Sequence, residues 1–482
     1  MKGLLPFKFP QIAMADKAQP HAHRSAPILM LDPGWIRFIL FSLFALIAVR
    51  ILAMRYYPII DRTEGRYAEI ARKMLDSGDW LMQQFAAGVP FWGKPPLYSW
   101  LSAGGMQVMG INAFGARVFL FLLAMLVLVL FFLWIARTLD RTTALVASAI
   151  LASTVLFIGA AGFVSTEAPL LFTVSLSMMA FWDATRTSRG STASGLWFFA
   201  GLGLGMLAKG PVAVVLVGIP LFFWLLIGNR WRLLGRLPWI RGILLFLLIA
   251  TPWYVMAELQ TPGFLRYFFI GEHIERFLVS GWQGDLYGGG RPEPRGTIWL
   301  FAAEMFLPWT LVAGALLLRL PACFHAFRQD TIGLRTYLLL WGLSPMLLFT
   351  LASNVLPAYV LPGLPGLALL LVLLWSDAFG PRPSRATRIS FIASFWFTIL
   401  ILASLLVAFL ITPSARIFGT QDSVLASRVN TDFPQAQLTF VGGRSPSGEF
   451  YTQGKAAYLH HLDPIEGMLS DGRVDVIALP AR

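Results

Sequence analysis

Cysteine is all but absent: Cys323 stands alone among 482 residues, which excludes an intrachain disulfide and any metal cluster built from thiolates. Charge is scarce too. Charged side chains make up 13% of the chain against 57% hydrophobic ones, far from the balance of soluble domains, so the chain cannot cover a large water-facing surface. Acidic residues are the scarcer sign, 25 against 38 basic. The resulting charge of +13 suggests nucleic acid only until the basic residues are located. They fall in alternate loops: Arg137 and Arg141, Arg186 and Arg189, Arg230 to Arg241, Arg319 to Arg335, and Arg382 to Arg388. That is the positive-inside pattern of a membrane protein, and no nucleic-acid partner is needed to explain it.

What is present in abundance is apolar length. Runs able to span a bilayer, roughly 17 to 25 residues, lie at Trp35–Tyr57, Ala113–Ile135, Thr143–Ala160, Glu167–Ala184, Ser194–Ala208, Pro211–Ile227, Ile240–Ala257, Ile298–Leu318, Tyr337–Ala352, Leu356–Trp375 and Ile389–Ile411. Ser194–Ala208 and Tyr337–Ala352 are the shortest. The expected fold is an α-helical polytopic membrane protein with about eleven spans. The arginine pattern puts the leader 1–34 in the cytoplasm. It puts the loop 58–112, the loop 258–297 and the C-terminus outside. No apolar core with a small-residue cleavage site precedes Trp35, so the first span is expected to serve as its own insertion signal. After Ile411 the composition turns polar, and 412–482 reads as a small α/β domain on the outer face. Gln437–Val441 and Val474–Leu479 look like strands, and Ser445–Gly448 like a turn.

The outer loop 58–112 carries ten charged side chains, and polar chemistry in such a protein gathers where loops meet the membrane. Asp61 and Glu64 stand three apart at the start of a helical pattern. They suit a capping box or a base that deprotonates an acceptor hydroxyl. Glu69, Asp76 and Asp79 read as solvated charges. Lys94, before Pro95 and Pro96, suits a snorkelling lysine or a phosphate ligand. Lys209, in a tight outer turn with Gly210 and Pro211, runs against the positive-inside bias. Glu167 at the mouth of a span is either a helix-start charge or a functional one. Glu272 and His273 match no zinc motif, and a metal is not expected. An interfacial helix turning His273 and Arg276 towards a phosphate headgroup fits that stretch better. Tyr359 suits an aromatic belt or a site.

Taken in order, Glu64-Gly-Arg66-Tyr67-Ala-Glu69-Ile-Ala-Arg72, Gly78-Asp79-Trp80, Lys94-Pro95-Pro96, Lys209-Gly210-Pro211, His273 with Arg276-Phe277, and Leu356-Pro357-Ala-Tyr359-Val-Leu-Pro362 resemble the GT-C glycosyltransferases of the aminoarabinose (lipid A) transferase and protein O-mannosyltransferase kind. The resemblance covers nearly all of 35–411. It implies an inverting enzyme of the bacterial inner membrane, with a polyprenyl-phosphate sugar as donor, an active site under the first outer loop on the periplasmic side, and no cofactor. The acceptor is lipid A or lipopolysaccharide, another envelope molecule, or a protein. Relatives acting on lipid A carry an aspartate where Thr63 stands, a glutamate at Gly93, an aspartate at Glu167 and a lysine at Val355. Asp61 or Glu64 is therefore expected to supply the base. Arg66 and Tyr67 would hold carboxylates and sugar, Glu167 would contact acceptor or sugar, and Lys94, Lys209, His273, Arg276 and Tyr359 would line the substrate site. A lipid or polysaccharide transporter is the rival of another class, disfavoured because the spans hold few polar residues; a non-catalytic scaffold would make the first-loop carboxylates dispensable.

Overall fold

The structure, a computed structural model, describes residues 28–86, 88–186, 191–279, 282–287, 293–413, 421–459 and 475–479. Residues 1–27 of the expected leader 1–34 lie outside them.

Each apolar run folds as a helix or as a broken pair of helices. The helices Pro33–Tyr56, Ala113–Thr138, Trp239–Gln260, Trp309–Arg328, Pro357–Phe379 and Arg385–Ile411 are long and apolar enough to cross a membrane outright. Between them lie Glu167–Arg186, Thr192–Lys209, Pro211–Ile227 and Leu334–Phe349. The chain is thus a multi-span membrane protein, as its composition requires. Two expected spans are interrupted. Thr143–Ala160 divides into Arg141–Ala152 and Val155–Ala160 because the Ser153 hydroxyl donates back to Ala149 O at 2.6 Å while Thr154 caps the second piece. Ile298–Leu318 divides around Pro308, and its apolar stretch continues to Arg328.

The bundle has two chemically distinct ends. At one, Arg335 pairs with Asp377 at 2.8 Å, the Trp224 indole donates to Gly333 O at 2.8 Å, and Arg186, Arg230 and Arg236 cluster. At the other, the loop 58–112, the Lys209 turn, the segment after Gln260 and the turn before Tyr359 come together.

The loop 58–112 is fixed to the bundle by one buried ion pair. Arg117, on the span after the loop, donates to both oxygens of Glu64 at 2.8 and 2.6 Å, and the two side chains are 4% and 1% exposed. The same guanidinium donates to Met54 O, Tyr57 O and Pro58 O at the end of the first span. Glu64 also accepts the backbone N–H groups of Ile60 and Val164, each at 3.3 Å. Three separate stretches of chain therefore meet on one pair of side chains. Every donor and acceptor of the pair is engaged, which is the condition under which a buried ion pair is tolerated.

After Ile411 the described residues form the helix Gln421–Asp432, the strand Gln437–Val441, the helix Pro446–Tyr451 and the strands Ala457–Leu459 and Asp475–Ala478. The three strands make a parallel sheet with Gln437–Val441 in the centre. Ser445–Gly448, expected as a turn, instead begins a helix whose cap is Ser445.

This region docks on the first loop. Asp61 accepts the Ser447 N–H at 2.9 Å and the Ser447 and Ser445 hydroxyls at 2.6 and 2.8 Å, so its carboxylate sits on the N-terminus of the short helix. Lys73 reaches Glu449 at 3.0 Å, and Phe450 packs among Ala68, Ala71, Tyr98 and Met106. Gly65 makes the approach possible: a Cβ there would lie 2.3 Å from Asp61 Oδ1 and 3.0 Å from Ser447 N.

Removing one member of the Arg117–Glu64 pair leaves a buried charge without its counterion, at a cost of about 3–5 kcal/mol. Arg117→Leu is expected to lower the unfolding temperature of the detergent-solubilised protein sharply, and Arg117→Leu with Glu64→Leu to recover much of the loss. Equal stability of the single variant and the native chain would show that the pair is not the anchor.

Candidate active site

The helix Thr63–Ser77 presents Tyr67 and Ile70 to the interior while its start is held by Arg117 and by the C-terminal region. The expected capping box does not form, since the residue at the cap position is Arg62 and no side chain caps it. Asp61 and Glu64, expected to supply the base, are instead committed to structure: Glu64 to Arg117, Asp61 to the Ser445–Ser447 turn. Burial pushes the Asp61 carboxyl above its usual range, against the pull of those hydrogen bonds. Glu69, expected to be solvated, is 1% exposed and chelated by Arg72 at 2.6 and 2.8 Å. A three-residue spacing puts Glu69 and Arg72 on one helix face, and the loop folds that face inward. Asp79 accepts two backbone N–H groups, from Leu81 and Met82, and so shapes the turn rather than facing water freely.

Around Tyr67 two clusters of charge assemble. The first is built on Lys94, whose carbonyl is gripped by Gln83 at 2.7 Å just before Pro95 and Pro96 turn the chain back into a helix. Its ammonium donates to Glu272 at 2.9 Å. Glu272 also accepts from Arg276, at 3.1 Å to each oxygen, and from the Tyr267 hydroxyl at 3.2 Å. Asp285 lies 3.4 Å from Arg276. Burial alone would raise the Glu272 carboxyl, but Lys94 and Arg276 overcome it and hold the group below the usual carboxylate range.

The second cluster is Lys209 with Glu167, 2.6 Å apart, each at a helix end. The Lys209 ammonium lies 4.2 Å from the centre of the Tyr359 ring, within cation–π reach. The other Glu167 oxygen, Oε2, is buried with no hydrogen-bond partner. Gly210 makes the turn: its φ is +75°, and a Cβ would lie 2.6 Å from the Phe268 ring. His273 sits behind that turn between two carbonyls, with Phe268 O 2.7 Å from Nδ1 and Lys209 O 3.2 Å from Nε2. Burial lowers its pKa, against the pull of the two carbonyls.

Tyr67 lies between the clusters, where Arg66, Lys209, Glu272 and Glu167 all act on its hydroxyl. Burial pushes that hydroxyl up to about 12, which keeps it a neutral donor. Its ring packs 4.7 Å from Tyr98 and 6.2 Å from Phe91. Arg66 lies over Phe85 at 6.0 Å, and its Nε is buried without a partner. Arg66 thus makes no carboxylate pair among the described residues, unlike Lys94, Lys209 and Arg276.

Arg66, Tyr67, Lys94, Glu167, Lys209, His273, Arg276 and Tyr359 accordingly gather in one place, and Asp61 and Glu64 stand outside it. Sequence reasoning missed Glu272 as a member, and its signal was an acid four residues before Arg276. His273 and Arg276 were expected on an interfacial helix facing headgroups. Residues Tyr267–Glu275 instead form a π-helix, which turns Glu272 to Lys94 and His273 to the Lys209 turn. Such wide turns recur at functional sites. Among the described residues no group of three or more His, Cys, Asp or Glu is placed to hold a metal ion.

Residues 35–268 match the family model described as dolichyl-phosphate-mannose-protein mannosyltransferase. An undecaprenyl phosphate-α-4-amino-4-deoxy-L-arabinose arabinosyl transferase of Pseudomonas fluorescens is 31% identical over 68% of this chain and 56% of its own length. Its namesake in Pseudomonas aeruginosa is 34% identical over 64% of this chain and 54% of its own. The chain thus spans little more than half the length of the curated relatives it matches. Among solved structures, ArnT from Cupriavidus metallidurans bound to undecaprenyl phosphate aligns over 93% of this chain and 90% of its own, with a TM-score of 0.71 and 19% identity. That likeness shows the fold. With the helical bundle, the charged loop and the matches along the sequence taken together, the chain is similar in sequence and in fold to the GT-C transferases, among them the aminoarabinose transferases and the protein O-mannosyltransferases.

Proposed function

We propose that this protein is an inverting glycosyltransferase that moves a sugar from a polyprenyl-phosphate donor to an envelope acceptor of the lipid A or lipopolysaccharide type. The observation that carries the reading is the pairing, around Tyr67, of a cationic cluster with a carboxylate that has one oxygen free. Lys94, Arg276 and Arg66 suit the donor phosphate, since fixed cations stabilise the charge that grows on a leaving phosphate. Glu167 then takes the role first expected of Asp61 or Glu64. Its Oε2 accepts the acceptor's hydroxyl proton, the acceptor oxygen bonds to the anomeric carbon, and the bond to the phosphate oxygen breaks with its electron pair leaving on the phosphate. Lys209 holds the other Glu167 oxygen in place, and Tyr67 and Tyr359 donate hydrogen bonds to sugar oxygens. The relatives are named for an undecaprenyl-phosphate donor, which supports the donor class. The mannosyltransferase model over 35–268 favours a second reading, in which the acceptor is a protein.

The arginine-rich end suits the cytoplasm, which would place the site and the region after residue 412 in the periplasm of a bacterial inner membrane. On this reading 1–34 is a cytoplasmic leader, 35–411 the transferase domain with its loop 58–112, and 412–482 a periplasmic domain.

Two outcomes are expected in an assay that follows sugar transfer to envelope lipids and proteins by mass spectrometry. Glu167→Gln should lower turnover by about 10²–10⁴-fold, the usual contribution of a general base, with little change in the KM for donor. Asp61→Asn should retain most turnover. If Glu167→Gln works as the native enzyme does and Asp61→Asn does not, the base has been misplaced.

Lys94→Met should weaken donor use. A charge-assisted hydrogen bond of about 1.5–3 kcal/mol corresponds to a rise in donor KM of roughly tenfold or more. An unchanged KM would remove Lys94 from the phosphate site.

A further inference from the structure

A cavity of about 330 Å³ opens at the arginine-rich end of the bundle. It lies far from the site just described: Glu167 and Arg186 stand at opposite ends of one 20-residue helix, which at 1.5 Å per residue separates them by about 30 Å. Its wall carries Arg186, Arg230, Arg232 and Arg236, together with Trp224 and Thr185.

A positive-inside bias alone asks only that arginines face water on the proper side. These four do more, because two stretches of chain distant in sequence, the end of the Glu167–Arg186 helix and the segment 230–236, bring them to one wall that Thr331 and Ile332 help to close. Arg236 donates to the Thr185 carbonyl at the end of the Glu167–Arg186 helix. The Arg230 guanidinium lies 4.7 Å from the centre of the Trp224 ring and donates to Thr331 O at 3.4 Å. Arg186 lies 5.0 Å from the centre of the Trp182 ring. A guanidinium resting over an aromatic ring keeps N–H groups available to donate elsewhere. Among the described residues, Arg186 and Arg232 donate no hydrogen bond to protein, and no carboxylate lines the cavity. The carboxylates close by are spent: Asp330 accepts the N–H groups of Leu334, Arg335 and Thr336, and Asp183 serves Trp134 and Arg137. Burial lowers the Arg230 pKa, against the pull of Asp330, and the neighbouring charge of Arg186 lowers it further.

The residues next to the cavity in sequence indicate where an anion would come from. Trp231, between Arg230 and Arg232, and Trp239, three residues past Arg236, are 40% and 44% exposed, and Ile240 is 79% exposed. Exposed tryptophan beside an exposed aliphatic run marks the boundary between headgroups and acyl chains. Basic pockets at that level between spans recognise the phosphates of acidic lipids.

We propose that the cavity walled by Arg186, Arg230, Arg232 and Arg236 binds the phosphate-bearing headgroup of an anionic phospholipid from the leaflet opposite the transferase site. The ligand class is the phosphate diester; its edge oxygens accept from the guanidinium edges that the stacking leaves open.

The test compares the native chain with the variant Arg186→Gln/Arg230→Gln/Arg232→Gln, which spares the Arg236 bond to Thr185. Both are purified in detergent and titrated with phosphatidylglycerol or phosphatidylcholine, and retained lipid is counted by native mass spectrometry. The native chain should retain phosphatidylglycerol about tenfold better than phosphatidylcholine, and the variant should lose that preference while unfolding at the same temperature. Arg232→Gln alone, which removes no contact within the protein, should show a partial loss and serves if the triple variant does not fold. Equal retention of phosphatidylglycerol by native chain and variants overturns the proposal. Binding of inorganic phosphate to the native chain alone, with no lipid preference in either, overturns the lipid assignment and leaves a soluble phosphate as ligand.

Discussion

The Arg117–Glu64 pair is the constraint on which the rest of the outer architecture depends. One guanidinium holds the end of the first span through three carbonyls and the start of the first loop through a carboxylate, and that carboxylate in turn holds Val164 near the start of a later helix. Because both side chains are withdrawn from solvent, their mutual attraction is little screened, and neither can be exchanged without stranding the other. With its start so fixed, the helix Thr63–Ser77 carries Arg66 and Tyr67 to a set position over the spans that bear Glu167 and Lys209.

The two ends of the bundle use the same residue types to opposite effect. At the Tyr67 end, lysine and arginine are mostly matched by carboxylates: Lys94 and Arg276 by Glu272, Lys209 by Glu167. At the other end Arg335 has Asp377, but Arg186 and Arg230 rest on indole rings and Arg230 and Arg236 donate to carbonyls. On the proposed function, the first arrangement suits a site that must turn over a charged lipid. The second suits one that keeps hold of it.

Much of this was legible in the sequence. The apolar runs gave the helices because span length is a property of the bilayer, independent of partners. The alternation of arginine-bearing loops set the expected polarity, which stands as part of the proposed function. Lys94, Lys209, Glu167 and Arg276 stood out as charges where a membrane protein has few. What stayed hidden was pairing over long separations. Asp61 looks like the cap of the helix that follows it, and instead accepts the Ser447 N–H at the start of a helix more than 380 residues away, beside that helix's own cap, Ser445. Glu64 looks like half of a capping box, and its partner is Arg117, 53 residues on. No local pattern distinguishes a carboxylate that will find such a partner from one left free for chemistry. The π-helix at Tyr267–Glu275 was hidden too, because its sequence carries the same apolar spacing as an interfacial α-helix while its wider turn re-aims Glu272 and His273.

The balance of charge around Tyr67 bears on how the site empties. Lys94 and Arg276 already hold Glu272, so an arriving anion trades places with a resident one. On the proposed function, a donor phosphate at Lys94 and Arg276 competes with Glu272 for the same N–H groups. Its departure restores pairs that already existed, so release leaves neither of these cations without a partner.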